Sequence, residues 1–225
     1  MPGILTRDEA AELGGLIAAG TAGGQLRACA TDVLIRAARY ADALIRHPLG
    51  FLCLPLHRGT GLGLCLHVWL PGLGDAELTT SPVHAHTWDL TSHVVCGQVN
   101  NELIGIEEGG THRICAIISE GGVDKISPTS RLVAYRVVGT QRVGPGQTYT
   151  LPAGRFHTTR TPAAAATLVL AETRLPPPEY ALGDPGTRSH RVVRRPGTRE
   201  EFRLAAQVLG VRYETSGVTV QRTGT

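Results

Sequence analysis

Two short stretches of this chain place histidines where they could hold a metal ion. In Ser81-Pro82-Val83-His84-Ala85-His86, two histidines are separated by one residue. On an extended strand, side chains two apart point to the same face, so His84 and His86 can share one ion. In the run Gly146 to His157 (GQTYTLPAGRFH), a strand-like segment enters a Pro152-Ala153-Gly154 turn and emerges at His157. A turn of this kind reverses the chain and can aim His157 at the same interior point. Three imidazoles on one side of an ion leave other positions open for water, substrate or dioxygen, as a catalytic metal needs. Iron, zinc, copper and nickel all suit imidazole.

Such a site needs a β framework, and the middle of the chain supplies one. From Phe51 onward, short apolar runs (FLCLPLH, GLCLHVWLP, SHVVCGQVNNEL, RICAIIS, RLVAYRVV, QTYTLP, ATLVLAE) alternate with turns rich in Gly, Pro, Asp and Asn. Many short strands with such breaks indicate a sandwich or barrel. Neither a βαβ alternation nor a GxGxxG motif after a strand is present, which argues against dinucleotide binding. The first fifty residues read as helical. Thr6 with Glu9 forms a capping-box pattern ahead of AAELGGLIAA, and a second helix is expected from about Leu26 to Arg46 after a TAGGQ turn. Beyond Glu172 comes a loop rich in Pro, Gly and Arg, then a short helix capped by Thr198 with Glu201 (TREEFRLAAQVL), and a frayed tail. The expected division is a helical extension at 1–50, a barrel at 51–175, and a C-terminal loop and short helix at 176–225.

The two histidine stretches resemble the two signature motifs of the cupin superfamily. In that family the first motif is HxH, a short gap, an acidic ligand, then six residues and Gly. The second is Gly, five residues, Pro-x-Gly, two residues, His, three residues, Asn. Gly146, Pro152, Gly154 and His157 stand at the family spacing, with Thr161 in place of the final Asn. His84, His86 and Gly97 fit the first motif. The likeness covers roughly residues 60 to 172. It implies a mainly β fold, the cupin double-stranded β-helix or jelly-roll barrel, here with N-terminal helices and a short C-terminal helix.

The acidic slot of the first motif falls on Leu90, one residue past Asp89. A one-residue offset turns a strand side chain to the other face, so a three-His site without a carboxylate is expected. A bulge could still bring Asp89 inward. Three histidines are the ligand set of the thiol dioxygenases among the cupins, which bind ferrous iron. The resemblance to cysteine dioxygenase itself stops there. Its cysteine–tyrosine crosslink and its Ser-His-Tyr relay have no counterparts in TWDLTSH or TTRTPAAAATL. Fe(II) is therefore the expected cofactor, with Zn, Ni, Mn or Cu as alternatives.

Around this core, Asp89, His93 and Tyr149 are candidates for proton-transfer roles. Trp88, Arg155 and Tyr135 are candidates for substrate binding, an arginine being suited to bidentate capture of a carboxylate. His67 and His57 read as core or edge histidines. His47, His112 and His190 read as solvated loop residues, as does the basic run from Arg188 to Arg199. The five cysteines have no CxxC spacing and read as reduced, buried small hydrophobes.

Composition bounds the partners. A net charge of +3 and no long Lys/Arg stripe argue against nucleic acid. No run of eighteen apolar residues is present, and the N-terminus lacks a secretory pattern, so a cytoplasmic protein is expected. A small-molecule substrate is the expected partner, and a homodimer is expected by analogy with cupins. Three functions compete. The first is an Fe(II) oxygenase or dioxygenase acting on a small, amino-acid-like or anionic substrate. The second is a non-oxidative metal-dependent isomerase, epimerase, lyase or cyclase. The third is a non-enzymatic ligand-binding module.

Overall fold

The computed structural model describes residues 4–20, 23–40, 43–73, 81–213 and 220–222. Helix α1 (Arg7–Ala19) starts at the capping box read from the sequence, with Thr6 and Glu9 each satisfying the other's backbone N–H, and stops at Gly20 in the left-handed region. Helix α2 (Gly23–Ala37) ends earlier than expected. The segment assigned to its last turns forms strand β1 (Ile45–Arg46), paired antiparallel with β2 (Leu52–Arg58). Ladder pairing here overrides a helix-compatible local pattern.

The remaining strands are β3 (Leu62–Trp69), β4 (His84–Ala85), β5 (Trp88–Cys96), β6 (Val99–Glu120), β7 (Val123–Val143), β8 (Thr148–Leu151), β9 (His157–Arg160), β10 (Ala165–Thr173), β11 (Glu179–Gly183) and β12 (His190–Val193). Helix α3 (Arg199–Val208) follows, with Thr198 and Glu201 forming the expected capping box. Last comes a small ladder of β13 (Val211–Tyr213) and β14 (Val220–Arg222), of which β14 falls in the tail expected to fray. Two antiparallel six-stranded sheets form the body. Sheet A runs β1-β2-β3-β10-β5-β8. Sheet B runs β11-β4-β9-β6-β7-β12, with β11 also pairing with β6. This is the mainly β, double-sheet jelly roll that the resemblance implied, with helices toward both ends of the chain.

Period-two alternation sorts sheet A into two faces. Leu52, Leu54 and Leu56, with Leu64, Leu66, Leu168 and Leu170, face the helices and pack against Leu13, Ile17, Leu26 and Leu34. Burying each such side chain contributes about 1.5–3 kcal/mol, so this helix–sheet layer is the main apolar core. The opposite face, with Leu90, Val94, Tyr149, Leu151 and Val169, looks into the space between the sheets, where Val99 and Val143 meet it. Strands β11 and β12, drawn from the segment past residue 175, complete sheet B. Gly97, between β5 and β6, has φ +74°, and a Cβ there would stand 2.3 Å from the Ala164 carbonyl oxygen. Only glycine closes that corner, which gives the motif glycine its physical reason.

Candidate metal centre

His84 lies on β4 and its Cα partner across the ladder is His157 on β9. The chain then leaves sheet B for β5 of sheet A, and His86 sits in that crossing. Ligand-type atoms of His84, His86 and His157 all lie within 4.8 Å of one another. Strand alternation, the crossing and the Pro152–Gly154 turn together bring the three residues to one point.

Their hydrogen bonds decide which nitrogens face that point. His84 Nδ1 donates to the Pro82 carbonyl at 2.9 Å, and His157 Nδ1 donates to the Arg155 carbonyl at 3.0 Å. His86 Nδ1 faces Glu179 Oε1 at 3.5 Å, a long contact, and has no closer partner. With each Nδ1 carrying the proton, every Nε2 presents a lone pair. His84 Nε2 and His86 Nε2 stand 3.1 Å apart. Two acceptors at that distance repel unless a cation lies between them, so this donor set fits a metal. Burial and the neighbouring imidazoles depress the basicity of His84 and His157. His84 is held well below the ordinary histidine range, first by desolvation and then by His157 and His86, and His157 is lowered to about 3. Neutral imidazole is the form that binds a metal.

Glu179 on β11 is a site residue that sequence reasoning missed. Its Oε1 faces His86 and accepts a 2.7 Å hydrogen bond from the Trp88 indole N–H. Trp88 in turn stacks on His86, with centroids 3.8 Å apart and planes 19° off parallel. Burial works against the Glu179 charge, but the nearby His86 ring and the Trp88 hydrogen bond hold the carboxyl below its ordinary value. An anionic group behind a ligand imidazole fixes its tautomer and strengthens it as a donor to metal.

The other candidates are spread more widely. Asp89 points away from the group. It accepts from the Ala153 backbone N–H at 2.8 Å and from Arg174 Nε at 2.7 Å, pinning the Pro-x-Gly turn to β5 from outside. Asp89 thus stands outside the three-histidine group. His93 also stands outside it: it shares the helix-facing parity of Val95, donates to or accepts from Thr148 Oγ1 at 3.0 Å, and lies under Gly23 of α2. Tyr149 is buried in the core between the sheets, near Ser92 and Asn101. Arg155 has an exposed side chain and serves the site through its carbonyl. Tyr135 is 41% exposed and stacks edge-on with His112, beside a shallow cavity that Glu102, Thr158 and Arg160 also line. Trp88 alone of the three proposed substrate contacts reaches the histidines.

Two residues read as solvated belong at the mouth of the site. A small cavity of about 40 Å³ beside His84 and His86 is lined by His47, Glu179 and Arg194. His47 stacks on Phe51 (centroids 4.3 Å) and takes the Leu49 N–H on Nδ1, which leaves Nε2 as a donor. Arg194 is held by Asp124, with Nε 3.0 Å from both carboxylate oxygens. The basic run thus does more than meet solvent.

No protein-family model matches this chain, and no curated protein matches it. Solved structures do. A DMSP lyase from Ruegeria pomeroyi is 19% identical over 77% of this chain and 68% of its own, with a TM-score of 0.40. An RmlC-like cupin from Shewanella frigidimarina is 14% identical over 58% of this chain and 83% of its own, at 0.34. A hydroquinone 1,2-dioxygenase solved with Cd2+ and 4-hydroxybenzonitrile is 15% identical over 53% and 63%, at 0.33. Likeness at these values does not extend to an activity. The two-sheet jelly roll and the convergence of His84, His86 and His157 give this chain a cupin-like fold with a three-histidine group suited to a metal.

Proposed function

We propose that this protein is a metal-dependent oxygenase that takes a small anionic substrate at an Fe(II) held by His84, His86 and His157. One observation carries the reading: three imidazole donors converge without a carboxylate among them, because Asp89 is turned outward. Neutral ligands leave the ion's double charge in place; Glu179 sits behind His86, and Asp124, which lines the same cavity, is paired with Arg194. A net positive charge remains for a thiolate, carboxylate or enolate to neutralise. A ferrous ion held there would supply one-electron chemistry toward dioxygen. The chain's own residues do the rest. Trp88 and Glu179 hold His86 in orientation, and the Pro82 and Arg155 carbonyls hold His84 and His157. His47 Nε2 offers a hydrogen-bond donor at the mouth. The small cavity suits a compact substrate.

A non-oxidative Lewis-acid enzyme would need a base beside the metal. Two of the three bases offered for that role, Asp89 and His93, face elsewhere, which favours the oxidative reading. Zn, Ni, Mn and Cu stay as alternative ions, since three imidazoles accept them all. The test is dioxygen uptake by Fe(II)-reconstituted protein across a panel of small thiols, carboxylates and enolisable acids. Substrate-stimulated uptake that His157→Ala abolishes is expected. Turnover of a panel member with undiminished rate under anaerobic conditions would overturn the proposal.

A further inference from the structure

A second group of metal-type ligands lies on sheet A. Cys53 on β2 stands directly across the ladder from His67 on β3, and Cys65 lies two residues before His67 on the same face. Two sulfurs and one imidazole nitrogen are thereby within 4.8 Å of one another. Cys53 is buried and the other two are half-buried. This face is the one turned away from the helices. Thr167 lies opposite His67 on β10, and its hydroxyl is buried with no hydrogen-bond partner among the described residues. His67 is further fixed by Phe51, at 4.5 Å between centroids, and by Trp69 edge-on at 5.9 Å. None of these residues belongs to the three-histidine group.

Two cysteines this close could serve as a disulfide or as metal ligands, and the register distinguishes them. Cys65 pairs with Pro55, so Cys53 and Cys65 are diagonal neighbours on adjacent strands. Diagonal positions are about 7–8 Å apart, at or beyond the span a disulfide bridges without moving the backbone. A metal has no such limit, because it adds a bond length on each side. With Zn–S near 2.3 Å and Zn–N near 2.0–2.1 Å, ligand atoms sit about 3.5–3.8 Å apart, which rotation of these side chains can reach. Two thiolates with one imidazole make a softer set than three imidazoles.

We propose that Cys53, Cys65 and His67 form a second metal site, selective for a thiophilic d10 cation such as Zn2+. It is separate from the three-histidine group and independent of the reaction run there. Each thiol loses its proton to solvent on binding, and no redox step is involved.

The test uses the full, reduced, metal-stripped chain titrated with Co2+ as a coloured substitute for Zn2+. A thiolate-to-cobalt charge-transfer band should appear and be displaced by Zn2+. It should vanish in Cys65→Ser and persist in His157→Ala, and Cys65→Ser should hold one fewer equivalent of Zn2+ than the parent chain. Should Cys65→Ser fold poorly, alkylation of the unaltered chain decides: Zn2+ should slow labelling of Cys53 and Cys65 and leave Cys29 unchanged. Cobalt binding without a thiolate band, or equal labelling of Cys53 and Cys65 with and without Zn2+, would overturn the site. Loss of oxygenase activity in His157→Ala with the thiolate band intact would separate the two sites.

Discussion

The residue that most alters the picture of the histidine group is Glu179. It neither ligates in this arrangement nor faces the cavity alone; it backs His86 through Nδ1 while Trp88 holds it from the other side. Loss of such a partner typically weakens metal binding 10–100-fold. Glu179→Gln should therefore lower metal affinity by about that factor, measured by competition with a chelator of known strength. Asp89→Asn should leave affinity unchanged, since the Asp89 carboxylate is engaged by Ala153 and Arg174 and not by the histidines. Equal affinity in Glu179→Gln and the parent would remove Glu179 from the site. The three histidines were legible because strand alternation and the Pro-x-Gly turn are local features. Glu179 was not, because a carboxylate after a proline-rich loop is common, and only the β11–β4 ladder brings it to His86. Cys53, Cys65 and His67 were hidden for the same reason: their grouping depends on β2–β3 register, which no spacing rule records.

At the scale of elements, both capping boxes and the strand-rich middle were readable, since each rests on neighbours in sequence. The end of α2 was not. Residues Arg39 to Arg46 carry a helix-like pattern, yet Ile45 and Arg46 gain ladder bonds to Cys53 and Leu52. The long hairpin of β6 and β7 also escaped a reading in short strands. Its several bulges let one continuous pair of strands bend through what looks like a series of breaks. His93 shows how face assignment turns into chemistry. It is 1% exposed beneath the helical layer, and burial lowers its pKa from the ordinary 6.5. The unfolded chain thus takes up the proton first as pH falls. The stability that a neutral His93 supports is complete above about pH 6.5 and is lost as pH drops toward the lower, folded-state value. Per proton this amounts to about 1.4 kcal/mol for each pH unit within that window. Metal-free His93→Gln should lose less stability between pH 7 and 5 than the parent in urea titrations. Parallel curves would show that His93 stays uncharged, or charges freely, in both states.

Taken whole, the molecule is two sheets with a helical cover on one side, and the histidine group lies where the chain crosses between the sheets. His84 and His157 belong to sheet B, and His86 precedes β5 of sheet A. An ion held by all three would tie β4, β9 and the start of β5 together, and these segments exist as neighbours only in the native state. Binding to the native state alone stabilises by about 2.7 kcal/mol when the free metal is 100 times its dissociation constant. For a chain of this size each kcal/mol raises Tm by about 2–4 °C, so a rise of roughly 5–10 °C is expected. The measurement belongs in a Cys65→Ser background, where the thiolate group cannot contribute. Metal-free protein, protein with Fe(II) under anaerobic conditions, and protein with Zn2+ would be melted side by side. His157→Ala in the same background should show less than half of the shift, and a chelator should reverse it. A rise equal in His157→Ala and its parent would place the stabilising ion elsewhere, and the convergence of the three imidazoles would then be a feature of packing at the sheet crossing.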